Sequence, residues 1–443
     1  MLGKENIRVI FEQVLAISPA DQTEVLFLGE DSGLTRFANS YIHQNVAQND
    51  AELRVRVVFG KKIGVASTND LSVESIKRVV ESAITIAKLQ RENPDFVSLP
   101  APAPVPQVIG YAPGTASFTP ESRAKAVGLV CRKAVENKLI ASGAFYTGTS
   151  ELAVASSLGV FAYHPSTVAE LNTVIMSDSS AGYADAVSLD AQEIDPEAVA
   201  AEAVDKALRS RNPTGLEPGE YEVILEEYAV FDILEFLAYL GFSALAVQEG
   251  HSFMKLGQKV VGENISIWDD GLSPGGLPLP FDCEGVPRQK VPLIDKGFAV
   301  GLVYDSYTAG KEGKASTGHA LPAPNTYGPI PMNLWMGTGQ SDKEEMLKST
   351  KRGIWVTRFH YTRPIHPLKV IVTGMTRDGT FLVEDGEIAG PIKNLRFTQS
   401  YLEALSSVEL IGAQTKLERG LMGGSRVPAL KVSRFNFSGV TEF

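Results

Sequence analysis

Apolar and polar residues alternate through ELRVRVVF, and Gly60 with Lys61 separates that run from KIGVASTND, a pattern that predicts two strands joined by a tight turn. TRFANSYIHQNVAQND, just upstream, reads as further strand. The period then changes: LSVESIKRVVESAITIAK places Val73, Ile76, Val80, Ile84 and Ile86 near one face of a helix. The chain starts MLGKENIRVIFEQVLAI, where Lys4, Glu5, Arg8 and Glu12 interrupt the apolar positions, which suits an amphipathic helix and not a signal peptide. Beyond the Pro-rich run PAPAPVPQVIGYAPG, an extended connector without helical period, the same order returns. TSELAVASSLGVFAYHPS reads as strands about a Gly and AELNTVIMSDSSAGYADAVS as more strand. DPEAVAAEAVDKALRS then reads as a helix with Asp195 as N-cap and Pro196 in its first turn.

RNPTGLEPGE, Arg211 to Glu220, has Pro and Gly without apolar period and predicts a domain boundary. YEVILE after it is a strand, and Ala229 to Val247, AVFDILEFLAYLGFSALAV, is the most apolar stretch of the chain. Asp232 and Glu235 fall within one turn of it and would be costly in lipid, so a buried helix with one polar edge is expected and a membrane span is not. NISIWDDG, KVPLIDKGFAVGLVYD and LKVIVTGMTRDGTFLVEDGEIAGPI are strand and turn. In the last, Asp378 with Gly379 and Asp385 with Gly386 are hairpin signals flanking TFLVE. The fold class is therefore α+β. An N-terminal α/β domain of duplicated strand-then-helix units, 1–213 with possible sub-units 1–99 and 115–213, precedes an antiparallel β-rich, barrel-like domain, 217–443, with one long buried helix.

A length of 443 residues, with 44% hydrophobic and 21% charged, supports two folded domains. The formal charge of −11 and the scattered Lys and Arg argue against nucleic acid as a partner. Two distant cysteines, Cys131 and Cys283, fit a reduced, cytoplasmic protein.

ISIWDDG, FDCEGVPRQKVPLIDKG, YDSYTAGKEGKASTGHA and TGMTRDGTFLVEDGEIAGPIKNLRFTQ, with TRFANSYIHQN near the start, resemble the TldD/PmbA family. The resemblance implies a cytosolic metallopeptidase system acting on unfolded or flexible peptides, historically also called a modulator of DNA gyrase, built from two related subunits. The TldD subunit carries zinc on an HExxxH helix and a later cysteine. The PmbA/TldE subunit lacks them.

A catalytic zinc needs about three protein ligands and an open position for water. The expected helix, FDILEFLAYLGFSALAV, contains no histidine, and the one candidate after it is His251, with Glu249 two residues earlier and no second His within a helical turn. ERGLMGGSRVPALKV has Met422 where a thiolate would stand. The expected subunit is thus the PmbA/TldE type, with no catalytic and no metal-binding residue of its own. Zinc is expected in a TldD-like partner, in a heterodimer acting on unfolded peptides. The alternative is a stand-alone homodimeric peptide-binding or regulatory protein. A peptidase with a different active site, using some of Glu249, His251 and His319, is a further possibility.

Single residues have plainer readings. His251 suits a helix C-terminus. His360 and His366, spaced among Pro364 and Pro367, suit loops or strand ends. Ser316, Thr317 and His319 read as a loop without an evident oriented carboxylate, and Asp269 and Asp270 as a solvated turn. LPAPNTYGPIPMNLWMG could receive a peptide by edge pairing or protect an edge with proline. Glu249, His251, His319, Asn325 and Tyr327 are the candidate peptide or cleft contacts.

Overall fold

A computed structural model describes residues 1–420 and 423–441. α1 (Lys4–Ile17) precedes β1 (Gln22–Ala38), β2 (Tyr41–Phe59) and β3 (Lys62–Thr68), which α2 (Val73–Leu89) follows. After the connector come α3 (Pro113–Ala116) and α4 (Pro120–Glu136), then β4 (Ile140–Ser156), β5 (Phe161–Met176), β6 (Ala181–Ser188) and α5 (Pro196–Arg209). Each unit is therefore a helix, an antiparallel meander and a second helix. The sequence reading missed α4, because its buried stripe of Ala126, Val127, Val130, Cys131 and Ala134 is mostly small residues among charges.

The six strands form one sheet in the order β3-β2-β1-β4-β5-β6. β1 and β4 pair antiparallel at its centre, from Glu24 with Ser156 to Phe37 with Gly143, so the two units meet about an approximate two-fold axis. Alternation sorts the faces. Ala141, Phe145, Ala153 and Ala155 of β4 face the helices. Val154 points the other way, with Leu26 and Ala162, onto Phe281 of the second half. The Pro-rich connector is extended, and Gly110 accepts a hydrogen bond from the Thr167 N–H of β5 at 2.8 Å.

Turn residues behave as their backbones require. Gly60 (φ 58) starts the β2–β3 turn, while Asn39 (φ 51) and Ser40 (φ 61) turn β1 into β2. The buried stripe of α2 is Ile76, Val79, Val80, Ala83 and Ala87, and the expected members Val73 and Ile86 are 50% and 37% exposed. The helix is rotated because its small residues lie over Gly64 of β3, where a Cβ would fall 2.0 Å from the Ala83 carbonyl oxygen. The second unit repeats the device: a Cβ on Gly182 of β6 would fall 2.2 Å from the Ala203 carbonyl oxygen of α5.

The second half runs β7 (Gly219–Leu225), α6 (Glu227–Gly241), α7 (Ala244–Gln248), β8 (Ile267–Asp269), β9 (Val291–Asp295), β10 (Phe298–Ala299) and α8 (Ser306–Lys311). It continues with β11 (Leu334–Met336), α9 (Lys343–Lys348), β12 (Arg352–His366), β13 (Ile371–Glu384), β14 (Glu387–Pro391), β15 (Leu395–Ser400), α10 (Tyr401–Ser406), β16 (Val408–Arg419) and β17 (Gly424–Val440). β7, β12, β13, β15 and β17 follow one another in the sheet, and β17 pairs back onto β7, which closes a barrel. The barrel is antiparallel except for β7 with β12, and outside it β11 lies parallel to β17. Phe359, Phe397 and Phe435 pack together in its core with the apolar face of α6.

Two expectations are corrected here. The apolar run is two helices, not one. α6 stops at Gly241, where a Cβ would meet the Phe253 ring at 1.9 Å and Ser252 Oγ donates to the released Gly241 carbonyl at 2.7 Å. Extended Ser243 then bridges to Val303 before α7. Asp385 and Gly386 do turn β13 into β14, but Asp378 and Gly379 sit inside β13. There they make a bulge opposite Val356 to Arg358, where the register shifts. Among the described residues no helix is long and apolar enough to cross a membrane.

Because backbone lies directly over Gly182, Gly182→Val is expected to lower stability by about 1–3 kcal/mol through overpacking. Gly215→Ala, whose added methyl meets nothing within 4 Å, serves as the control and is expected to stay within about 0.5 kcal/mol. Urea midpoints of the two variants check both expectations.

Candidate functional site

Glu226 follows the last residue of β7 and occupies the N-cap of α6. Its carboxylate accepts hydrogen bonds from Lys206 Nζ of α5 at 2.7 Å and from Trp355 Nε1 of β12 at 2.6 Å, with Thr357 Oγ1 at 3.3 Å. Burial would raise its pKa, but Lys206, Lys343 and these donors outweigh burial and hold it below the ordinary carboxylate value. The start of α6 is thereby fixed to both halves of the molecule.

Val230, Ile233, Leu234 and Leu237 of α6 enter the barrel core. The opposite edge, with Tyr228, Phe231, Asp232, Glu235, Phe236 and Tyr239, lines a cleft of about 500 Å³. Glu170 of β5, Tyr183 and Asp185 of β6, Arg358 and Thr362 of β12, and Glu418 and Arg419 of β16 complete the lining. The cleft thus lies between the two sheets, with aromatic sides and an acidic floor.

Asp232 is the polar edge expected from the sequence. Its two oxygens accept from Tyr401 Oη at 2.6 Å and Thr362 Oγ1 at 2.7 Å. Burial raises its pKa from the ordinary 3.8 to about 6, against the lowering effect of those bonds. On the floor, Tyr183 Oη donates to Asp185 Oδ2 at 2.8 Å, and Lys416 Nζ lies 2.9 Å from Asp185 Oδ1 and 3.8 Å from Glu418. Burial, with the charge of Asp185 beside it, pushes the Glu418 carboxyl well above its usual range.

The cleft does not fit a catalytic zinc among the described residues. α6 has no histidine, both oxygens of Asp232 are taken, and no group of three His, Cys, Asp or Glu is placed to hold a metal ion. Glu235 packs toward Gly420, where a Cβ would fall 2.3 Å from its Oε2. Met422, considered above for the thiolate position, lies outside the described residues.

The residues singled out from the sequence do not converge. Glu249 and His251 follow α7 on the surface, 3.7 Å apart, and neither lines the cleft. His319 is buried, with Nε2 2.8 Å from Asp269 Oδ1 and Nδ1 2.9 Å from Thr317 Oγ1. An oriented carboxylate therefore exists, contrary to the reading above, and Asp269 is a buried residue of β8 instead of a solvated turn. Arg288 and the Asn333 N–H also hold Asp269. Thr317 Oγ1 accepts from the Tyr304 N–H at 2.8 Å, so the group reads as an enclosed structural network and not a nucleophile with access to substrate. Asn325 closes its own turn onto Gly328 O at 2.9 Å, beside Tyr327, which is 66% exposed. The only strand in 321–337 is β11, held between β8 and β17, so it offers no free edge.

Asp185, Glu418, Tyr183 and Arg358 were not singled out from the sequence. Their signal is faint: Asp185 interrupts the small residues of GYADAVS, and Glu418 looks like any charge near a strand end.

A chain whose two antiparallel units end on a β-barrel, with a helix-lined cleft between the sheets, defines the class of protein. Three family descriptions match in order: PmbA/TldA metallopeptidase domain 1 over residues 23–87, the central domain over 119–211 and the C-terminal domain over 218–439. The chain belongs to the PmbA/TldD family. It is 24% identical over 438 residues to the metalloprotease PmbA of Escherichia coli O157:H7, covering 95% of this chain and 94% of that protein. A metalloprotease of Methanothermobacter thermautotrophicus is 27% identical over 230 residues, about half of each chain (51% and 50%). The crystal structure of TldE from Thermococcus kodakarensis superposes with a TM-score of 0.88 at 21% identity, covering 98% of this chain and 99% of that one.

Asp232 yields a pH test. The folded protein keeps its proton up to about pH 6, whereas an ordinary aspartate loses it near 3.8, so stability due to this group falls as pH rises from about 4 to about 6 and stays lost above. Asp232→Asn is expected to remove that slope, worth on the order of 2–3 kcal/mol. Denaturant unfolding of both proteins at pH 4 and pH 8 measures it.

Proposed function

We propose that this chain is a PmbA/TldE-type subunit: it completes the peptide chamber of a cytoplasmic metallopeptidase whose zinc is carried by a TldD-type partner, and its substrates are unfolded or flexible peptides. The observation that carries the reading is α6. The helix on which the family's metal-binding subunit has HExxxH has no histidine here, and its cleft-facing Asp232 is tied to Tyr401 and Thr362. Metal-assisted hydrolysis needs a polarised water beside an ion, and the described residues of the cleft offer no ligand set to hold one. The likeness to PmbA and TldE supports the same assignment.

The purified chain is expected to hold no stoichiometric zinc by elemental analysis and to leave unstructured peptides uncut. Cleavage is expected when an HExxxH-bearing relative is added, together with a mixed complex in size-exclusion chromatography. Zinc at one equivalent in the isolated chain, or peptide cleavage by it alone, would refute the assignment.

A further inference from the structure

The floor of the α6 cleft has more acceptors than donors. Glu418 Oε1 is buried without a hydrogen-bond partner among the described residues, in a side chain 5% exposed that lines the cleft. The charged groups packed around it are already committed. Arg358 of β12 is bonded to Asp378 at 2.7 Å, and Arg419 of β16 lies 3.3 Å from Glu170 of β5. Lys206 of α5 serves Glu202 and Glu226, each at 2.7 Å, and Glu227 of α6 is met by Lys343 at 2.6 Å. The Tyr183 hydroxyl of β6 is spent on Asp185, and that of Tyr228 on Glu202 at 3.0 Å. Lys416 alone faces both Asp185 and Glu418, and it also donates to the Asp185 carbonyl at 2.6 Å. One cation therefore stands against two carboxyl groups, whose only other counterpart among the described residues is a proton shared between Asp185 and Glu418.

The walls above this floor are aromatic: Tyr183, Tyr228, Phe231, Phe236 and Tyr239. Ring faces attract cations, and two of these rings already carry them, with Arg358 over Tyr183 at 4.3 Å, and Lys206 at 4.8 Å and Lys416 at 5.0 Å over Tyr228. We propose that the cleft binds a primary ammonium group, with Glu418 accepting its N–H and the aromatic walls holding the apolar remainder of the ligand. This rests on the reading of the chain as a peptide-handling subunit, since a peptide supplies that group either at its amino terminus or on a lysyl side chain. Burial and the neighbouring Asp185 charge favour the protonated form of Glu418, and an arriving ammonium takes the place of that proton. Binding of the ammonium form releases that proton, so affinity for this form weakens as pH falls.

Titration calorimetry of the whole purified chain near pH 7.5 tests this with phenylalanine amide, N-acetyl-lysine amide and N-acetyl-phenylalanine amide. At least one of the two amines is expected to bind about tenfold or more tightly than the acetylated phenylalanine probe, which keeps the ring and lacks the charge. Binding of the first assigns an amino terminus, and of the second a lysyl side chain. Glu418→Gln is expected to weaken that amine about tenfold or more. In the unsubstituted chain the measured heat, once the proton that partly neutral phenylalanine amide takes up is allowed for, should change with the ionisation enthalpy of the buffer, as release of a proton requires. Equal binding of the acetylated probe, no binding of any probe, or binding without proton release would each overturn the proposal. The last needs no variant and so holds even if Glu418→Gln does not fold. A chain that binds no amine yet enables cleavage by an HExxxH partner refutes the ammonium site and keeps the subunit assignment; amine binding by a chain that no such partner joins does the reverse.

Discussion

Glu226 lies where the two sheets meet, and Lys206 reaches it from α5 while Trp355 and Thr357 reach it from β12. A buried carboxylate without partners would cost several kcal/mol, and breaking such a pair from one side typically costs about 3–5 kcal/mol. Each half of the molecule thus supplies part of the solvation that the other half's charge has lost. The arrangement of α6 against the six-stranded sheet, and with it the width of the cleft, depends on this clamp. A second polar seam, where Arg56 of β2 lies 3.0 Å from Glu284 and also bonds Glu24, joins the same sheet to the other end of the second half. Burial, and the nearby Glu284 charge, raise Glu24 to about 7 there against the pull of Arg56.

The duplicated units explain why the cleft has a flat, rigid wall. Pairing β1 with β4 puts the two meanders in one sheet, and all the long helices of the first half pack on one face. The opposite face is left for the barrel. Gly64 and Gly182 mark the same event in each unit, where an outer strand and the following helix approach too closely for any side chain between them. In both units the glycine faces the carbonyl oxygen of one alanine and the amide nitrogen of the alanine four residues on, Ala83 and Ala87 or Ala203 and Ala207.

Within the cleft, placement by the fold sets the chemistry more than residue type does. Asp232 and Glu418 are both carboxyl groups on buried segments, yet Asp232 has two hydroxyl donors and Glu418 Oε1 has none. The first is a structural strut of the α6–barrel packing. The second is an acceptor facing an aromatic cavity, which is what makes it a candidate for recognition. His319 and Asp269 show the opposite case, a pair with the geometry of a catalytic relay enclosed so fully that it serves the packing of β8 and β11.

The sequence by itself determined the α+β class, the recurrence of strands and helix, the Asp195 cap, the Asp385–Gly386 hairpin and the lack of histidine on the helix that matters. Each of these is local, set by side-chain period, by a positive φ or by simple presence of a residue. It also carried the family resemblance, in long blocks of the second half. What only the tertiary structure decided is which distant residues share a space. Asp269 meets His319, Asp185 meets Lys416 and Glu418, and Asp378 is a bulge because Arg358 and Thr357 stand across from it. No periodicity encodes these pairs, because they arise from closing the barrel and docking it on the sheet. The burial that makes a carboxylate costly, and so informative, exists only once that docking has removed the water.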